Sequence, residues 1–163
     1  GLKIGPSVTP DQLLKTIDAL NPDNEAGRLT LIHRMGAAHI ADKLPPLLAA
    51  VKREAKRVLC MRDPMHGNTE STVTGYKTRR FRNIRSELEQ AFDAHAAAGR
   101  RMGGVHLELT GEDVTECLGG ARELTASDLE RAYRSTVDPR LNYEQALEIA
   151  MLIVRKRGQL AAG

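Results

Sequence analysis

The opening residues Gly1-Leu2-Lys3-Ile4-Gly5 read as the body of a short strand, and the apolar period then changes. In TPDQLLKTIDAL, Leu13, Leu14, Ile17 and Leu20 recur at helical spacing, with Thr9 placed as N-cap and Pro10 at the first helical position. A turn rich in Asn, Pro and Gly (NPDNEAGR) leads to LTLIHRMG, a second strand ending in glycine. A helix is expected from about Ile40 to Ala55, with a bend at Pro45-Pro46, because proline removes a helical hydrogen bond. Val58 to Met61 form a third strand, followed by the turn DPMHGN and a polar loop, NTESTVTGY. From about Thr78 to Ala98, Phe81, Ile84, Leu88, Ala91, Phe92 and His95 share one face of a long helix that Gly99 stops. GGVHLELTG is the fourth strand candidate. Thr125 and Asp128 open a short helix over about Ala126 to Tyr133, and Asn142 with Gln145 opens a last helix expected to end before Gly158. Strand and helix alternate four times with crossovers of adequate length, which predicts an α/β fold with a parallel sheet.

At 163 residues and 41% hydrophobic content, the chain is long enough for one domain with a real core. Cys60 and Cys117 lie 57 positions apart with no CxxC pattern, so neither a disulfide framework nor a zinc knuckle is suggested. No apolar stretch is long enough to span a bilayer. A cytoplasmic location is the expectation, with no membrane partner. The net charge of +3 and pI near 9.0 suit small phosphorylated substrates as well as nucleic acid. The chain opens without methionine and inside a strand, which fits a segment of something longer.

In a parallel α/β fold, chemistry gathers at the carboxyl ends of the strands. The first strand carries Lys3, the second ends in Arg34, the third delivers His66, the fourth contains Glu108, and the loop before the last helix supplies Asp138. His66, Glu108 and Asp138 are a nitrogen and oxygen set suited to Mn, Fe, Co or Zn. Their spacing alone is weak evidence, and on it a capped turn with ordinary ion pairs is the favoured reading. Arginine offers a planar fork and lysine a point charge, so Lys3 and Arg34 together could hold a small dianion; taken singly, each reads as a surface or structural charge.

The run Lys77-Thr78-Arg79-Arg80-Phe81-Arg82-Asn83-Ile84-Arg85 is the best local argument for nucleic acid. On a helix, Phe81 and Ile84 turn inward and the charges form a solvated face, and 3% aromatic content leaves few rings for stacking bases. Lys77, at the loop end of the run, remains able to reach a substrate phosphate. His33, His39, His95 and His106 read as packing or surface residues, and the two cysteines lack a nearby activating histidine.

GLKIGPS, GRLTLIHRMGA, DPMHGNT, GYKTRRF, GGVHLELTGEDVTECLGGAR and DPRLN, in this order, resemble the carboxyl-terminal part of the class II 3-deoxy-D-arabino-heptulosonate 7-phosphate (DAHP) synthases over essentially the whole chain. The resemblance implies a TIM (β/α)8 barrel, of which this chain is the carboxyl-terminal half. It implies a reaction joining phosphoenolpyruvate to erythrose 4-phosphate at the head of the shikimate route, and a homo-oligomer when complete. By the same resemblance His66, Glu108 and Asp138 are three of four ligands of a divalent metal such as Mn or Co. The fourth is a cysteine of the amino-terminal half, and neither Cys60 nor Cys117 stands in its motif. Lys3 and Arg34 match positions that bind phosphoenolpyruvate and act in catalysis, and Lys77 matches a contact to the sugar phosphate. Arg62 stands where the family has a small residue or cysteine, which implies bulk and charge near the metal turn. Half a barrel exposes two strand edges and one face of its core, so the isolated chain is expected to be inactive. The alternatives are a half-barrel that dimerises into a non-catalytic scaffold and a basic nucleic-acid module built on residues 77 to 85.

Overall fold

The computed structural model describes residues 1–161. Four parallel strands form one sheet: β1 (Leu2–Ile4), β2 (Thr30–His33), β3 (Leu59–Arg62) and, numbered after a hairpin, β6 (Gly104–Val105), in the order β1-β2-β3-β6. Helices α1 (Pro10–Leu20), α2 (Ile40–Arg53) and α3 (Phe81–Ala97) alternate with these strands, and α4 (Tyr143–Ala161) packs against α3. The fold is α/β and consistent with part of a barrel.

The sheet has two unlike faces because side chains alternate along each strand. Ile4, Leu31, His33, Cys60 and Arg62 are buried beneath the helices. The register Lys3↔Ile32↔Met61↔Gly104 marks the other face, whose side chains are partly or fully exposed. That open face would be the inside of a closed barrel. Beneath the sheet, Leu13, Ile17, Leu31, Leu44, Leu47 and Leu48 make one continuous core, and Phe81, Ile84, Leu88, Ile149 and Leu152 form a second between α3 and α4.

The expected caps form. Thr9 accepts from the Gln12 N–H while the Gln12 side chain accepts from the Thr9 N–H. Asn142 and Gln145 make the same exchange before α4, and Asp128 Oδ2 accepts from the Thr125 N–H and hydroxyl at the start of a 3-10 helix, Ala126–Arg131. The segment 126–131 is therefore a tighter helix than expected. α2 runs unbroken through Pro45 and Pro46, which sit on its solvent side; the carbonyls they leave unpaired belong to exposed Ala41 and Asp42 and face water.

Four expectations change. The polar loop after DPMHGN contains an antiparallel hairpin, β4 (Thr69–Ser71) with β5 (Lys77–Arg79), so α3 begins at Phe81 rather than Thr78. Thr78 and Arg79 are buried, and Thr78 donates to the Glu116 carbonyl. The fourth strand pairs with β3 only at Gly104–Val105, and no helix follows it directly. Instead Leu109 bridges Leu141 in parallel, laying the chain before α4 alongside the end of the fourth strand. Last, α4 passes through Gly158, because a single glycine costs a helix only about 1 kcal/mol. Among the described residues, no helix is long and apolar enough to cross a membrane.

Candidate metal and anion site

The hydrogen-bond ladder continues past the strand ends and sets where each loop departs. The Arg34 N–H donates to the Ile4 carbonyl at 2.8 Å, Asp63 to His33 at 2.8 Å, and His106 to Arg62 at 2.7 Å. Asp63 is the pivot. Its Oδ1 accepts from the Met65 and His66 N–H groups, turning the chain through a short 3-10 helix (His66–Asn68), and its Oδ2 pairs with the Lys3 ammonium and lies 2.7 Å from His66 Nδ1. Burial works to raise the Asp63 carboxyl. Lys3, the two backbone N–H groups and the His66 ring outweigh that and hold it below the ordinary carboxylate range.

With Nδ1 turned to Asp63, His66 presents Nε2 to the open face. Glu108 Oε1 lies 3.3 Å from it and Asp138 Oδ2 3.7 Å. The three ligand atoms fall within 4.8 Å of one another. Each carboxylate is aimed by its second oxygen: Glu108 Oε2 takes the buried Arg79 guanidinium at 2.5 Å, and Asp138 Oδ1 faces Lys77 Nζ at 3.4 Å. One imidazole nitrogen and two carboxylate oxygens thus converge with their outer atoms already engaged, a donor set that fits a divalent cation of the Mn, Fe, Co or Zn kind. Asp63, His66 and His106 form a second, overlapping trio, with His106 exposed and its ring centroid 6.1 Å from that of His66.

Asp138 reaches this point through a loop held from below by Glu116. That buried carboxylate accepts from the N–H groups of Arg134, Ser135 and Arg140 and from the Arg140 guanidinium. Burial would raise its carboxyl, but these donors, Arg140 foremost, bring it below the ordinary range.

His66, Lys77, Glu108 and Asp138 are therefore joined by direct contact, and Lys3 reaches His66 through Asp63. Arg34 joins them by register: it lies two residues beyond Ile32, on the same sheet face as Lys3, and is exposed. Asp63, Arg79 and Glu116 were missed in the sequence. Asp63 had a signal, since an Asp-Pro pair opening a turn invites side-chain capping of the next N–H groups. Arg79 looked like one charge in a basic run.

In that run Arg82 is exposed, and the other charges have partners or are buried. Arg79 is buried, Lys77 faces Asp138, Arg80 pairs with Glu70, and Arg85 with Glu89. Arg62 also departs from expectation: strand alternation turns it beneath the sheet, away from the metal turn, where it lies 3.6 Å from Glu87. The cysteines are core residues. Burial raises the Cys60 thiol and pushes Cys117 up to about 12, and neither joins the ligand trio.

The pattern of the class-II DAHP synthetase family matches residues 1–154. The chain is 48% identical over 153 residues to phospho-2-dehydro-3-deoxyheptonate aldolase AroG of Mycolicibacterium smegmatis, covering 94% of this chain and 33% of the relative. It is 47% identical over 153 residues to the phospho-2-dehydro-3-deoxyheptonate aldolase of Streptomyces coelicolor, with 94% and 34% covered. It is 48% identical over 155 residues to that of Neurospora crassa, with 94% and 32% covered. The chain thus spans about a third of the length of these curated relatives. A match over nearly all of its residues establishes that it belongs to the class-II DAHP synthetase family.

Proposed function

We propose that residues 1–163 are a single segment, the carboxyl-terminal half of a TIM-barrel catalytic domain, and that they supply most of the metal site of a DAHP synthase. The observation that carries this reading is the convergence of His66 Nε2, Glu108 Oε1 and Asp138 Oδ2 on the open sheet face. His66, Glu108 and Asp138 hold the ion, and the barrel half beyond this chain completes its coordination. A divalent ion such as manganese or cobalt would act there as a Lewis acid toward the aldehyde oxygen of erythrose 4-phosphate.

Lys3 and Arg34 hold the carboxylate and phosphate of phosphoenolpyruvate. Lys3 keeps donors for this while paired with Asp63, since an ammonium carries three. Lys77 holds the sugar phosphate from the rim of β5. The substrates react by a new bond from the enol carbon of phosphoenolpyruvate to the aldehyde carbon; water then adds at the second carbon of the former enolpyruvate, and phosphate leaves. Lys3 and Arg34 stabilise the charge as it shifts. The open edges of β1 and β6 are where the remaining strands pair, so the isolated chain lacks turnover; family membership, not these edges, is the ground for a homo-oligomer in the complete protein.

The test is condensation of phosphoenolpyruvate with erythrose 4-phosphate by the full-length protein, stripped of metal and then given Mn²⁺. Activity should vanish on chelation, return with Mn²⁺, and be absent in His66→Ala. Undiminished turnover without divalent metal would refute the assignment, and robust turnover by the isolated 163-residue chain would refute its incompleteness.

A further inference from the structure

Directly beneath the site, helix α3 buries a carboxylate that the reaction does not touch. Glu87 is fully buried, and both its oxygens are used. Oε1 accepts from the Met35 N–H at 2.9 Å, and Oε2 accepts from Asn68 Nδ2 at 2.6 Å. Asn68 in turn accepts from the Ala37 N–H at 3.0 Å and donates to the Pro64 carbonyl at 2.9 Å. Residues 35 to 37 come directly after Arg34, and residues 64 to 68 contain His66. The two loops also touch through backbone: Gly36 has φ +82°, a Cβ there would lie 2.7 Å from the Gly67 carbonyl oxygen, and a Cβ on Gly67 would run into the Gly36 nitrogen. The buried Arg62 guanidinium, 3.6 Å away, supplies the opposite charge that keeps such a carboxylate tolerable.

We infer that Glu87 is a positioning residue: with Asn68 it clasps the loop bearing Arg34 to the loop bearing His66 and so sets the separation of the anion-binding and metal-binding halves of the site. The inference rests on the roles proposed above for Arg34 and His66. The metal trio itself is aimed by Asp63, Arg79 and Lys77, none of which bonds Glu87. Loss of the clasp therefore separates two effects that general disruption of the site would join.

Glu87→Gln puts an amide donor where Oε1 or Oε2 accepts, so it faces either Asn68 Nδ2 or the Met35 N–H and one link opens. Asn68→Ala opens the same clasp without changing buried charge. In the full-length protein, each variant should lower kcat about 100-fold, the scale of an ångström misplacement between reacting groups. Each should raise the KM for phosphoenolpyruvate, speed amide exchange at Met35 to Ala37 about tenfold, and move the Mn²⁺ Kd less than threefold. The double variant should be no worse than the poorer single one, because both remove one device. Leu88→Ala, a core change beside Glu87, should lower thermal stability without the selective exchange at residues 35 to 37. Losses that multiply in the double variant, or Mn²⁺ affinity falling in parallel with kcat, would overturn the inference. Should the unaltered protein bind neither Mn²⁺ nor phosphoenolpyruvate, the functional reading fails; the exchange measurement then still decides the clasp, non-additive loss at Met35 to Ala37 supporting it and additive or absent loss refuting it.

Discussion

His33 gives the sharpest test of the buried polar layer. It is 1% exposed, beneath β2, and the titratable groups facing it are Arg62 on β3 and His95 on α3. Burial foremost, then those two groups, lowers it from 6.5 to about 3. In the unfolded chain the imidazole takes up a proton near pH 6.5, whereas in the native state it stays neutral. Its contribution is thus complete above pH 6.5 and declines as pH falls toward the folded value. At pH 5 the unfolded chain has gained the equivalent of about 1.5 pH units of proton binding, or about 2 kcal/mol. His33→Leu keeps an apolar side chain of similar bulk and removes this titration. Other groups also move: His95, lowered to about 4 chiefly by burial, adds a loss of the same sign, and Glu87, raised by burial, opposes it. The difference between variant and parent cancels these to first order. Urea unfolding of the full-length protein at pH 7.5 and pH 5.0 should show the parent losing about 2 kcal/mol more than His33→Leu over that interval. Equal losses would refute a neutral, buried His33. So would a histidine resonance assigned to residue 33 that titrates near pH 6.5.

Other outcomes rest on single contacts. Asp63→Asn removes the charge facing Lys3 and His66 and should weaken Mn²⁺ binding in the full-length protein by 10- to 100-fold, measured by Mn²⁺ paramagnetic resonance; an unchanged Kd would show that Asp63 does not orient the ring. Gly67→Ala sets a methyl against the backbone of Met35 and Gly36, which cannot swing away as a side chain could, and should cost about 1–3 kcal/mol in thermal unfolding. Glu116→Gln should cost about 3 kcal/mol at pH 7 in urea unfolding. Because the native Glu116 carboxyl is lowered, its contribution is present above the unfolded value of 4.5 and lost as pH falls through the folded one, so the gap between variant and parent must narrow below about pH 4.5.

The parallel core was legible because each element there is a local decision. Thr9 with Gln12 and Asn142 with Gln145 declare helix starts within four residues, the apolar period of α3 names the face that is buried, and that of α1 does so at Leu13 and Ile17 while Leu20 is exposed. The hairpin was not legible. Thr69–Ser71 and Lys77–Arg79 are polar on their surface, and what buries Thr78 and Arg79 lies at Glu116, Glu108 and Pro139, far away in sequence. The fourth strand misled for a related reason. VHLEL alternates well, yet only Gly104 and Val105 meet β3; beyond them the neighbour is Leu141, and that detour brings Glu108 and Asp138 together. The rim rule brought His66, Glu108 and Asp138 to one place without knowing this path, because it depends on where strands end rather than on the course the chain takes beyond them.

Arg62 and Asp63 show how little separates a site residue from a supporting one. They are consecutive, both charged and both buried, yet alternation sends Asp63 to the open face with Lys3 and His66 and Arg62 under the sheet to Glu87. Proximity in sequence to the metal turn suggested that Arg62 crowds the ion, but strand parity makes that geometry unavailable. Arg62 instead lies 3.6 Å from Glu87, the carboxylate that bonds the backbone behind Arg34 and the amide of Asn68. A residue kept from the open face by one step of the pleat thus lies beside the carboxylate that bonds both loops. Whether a strand-end charge works on a substrate or on the loops that hold one is decided by the face it occupies.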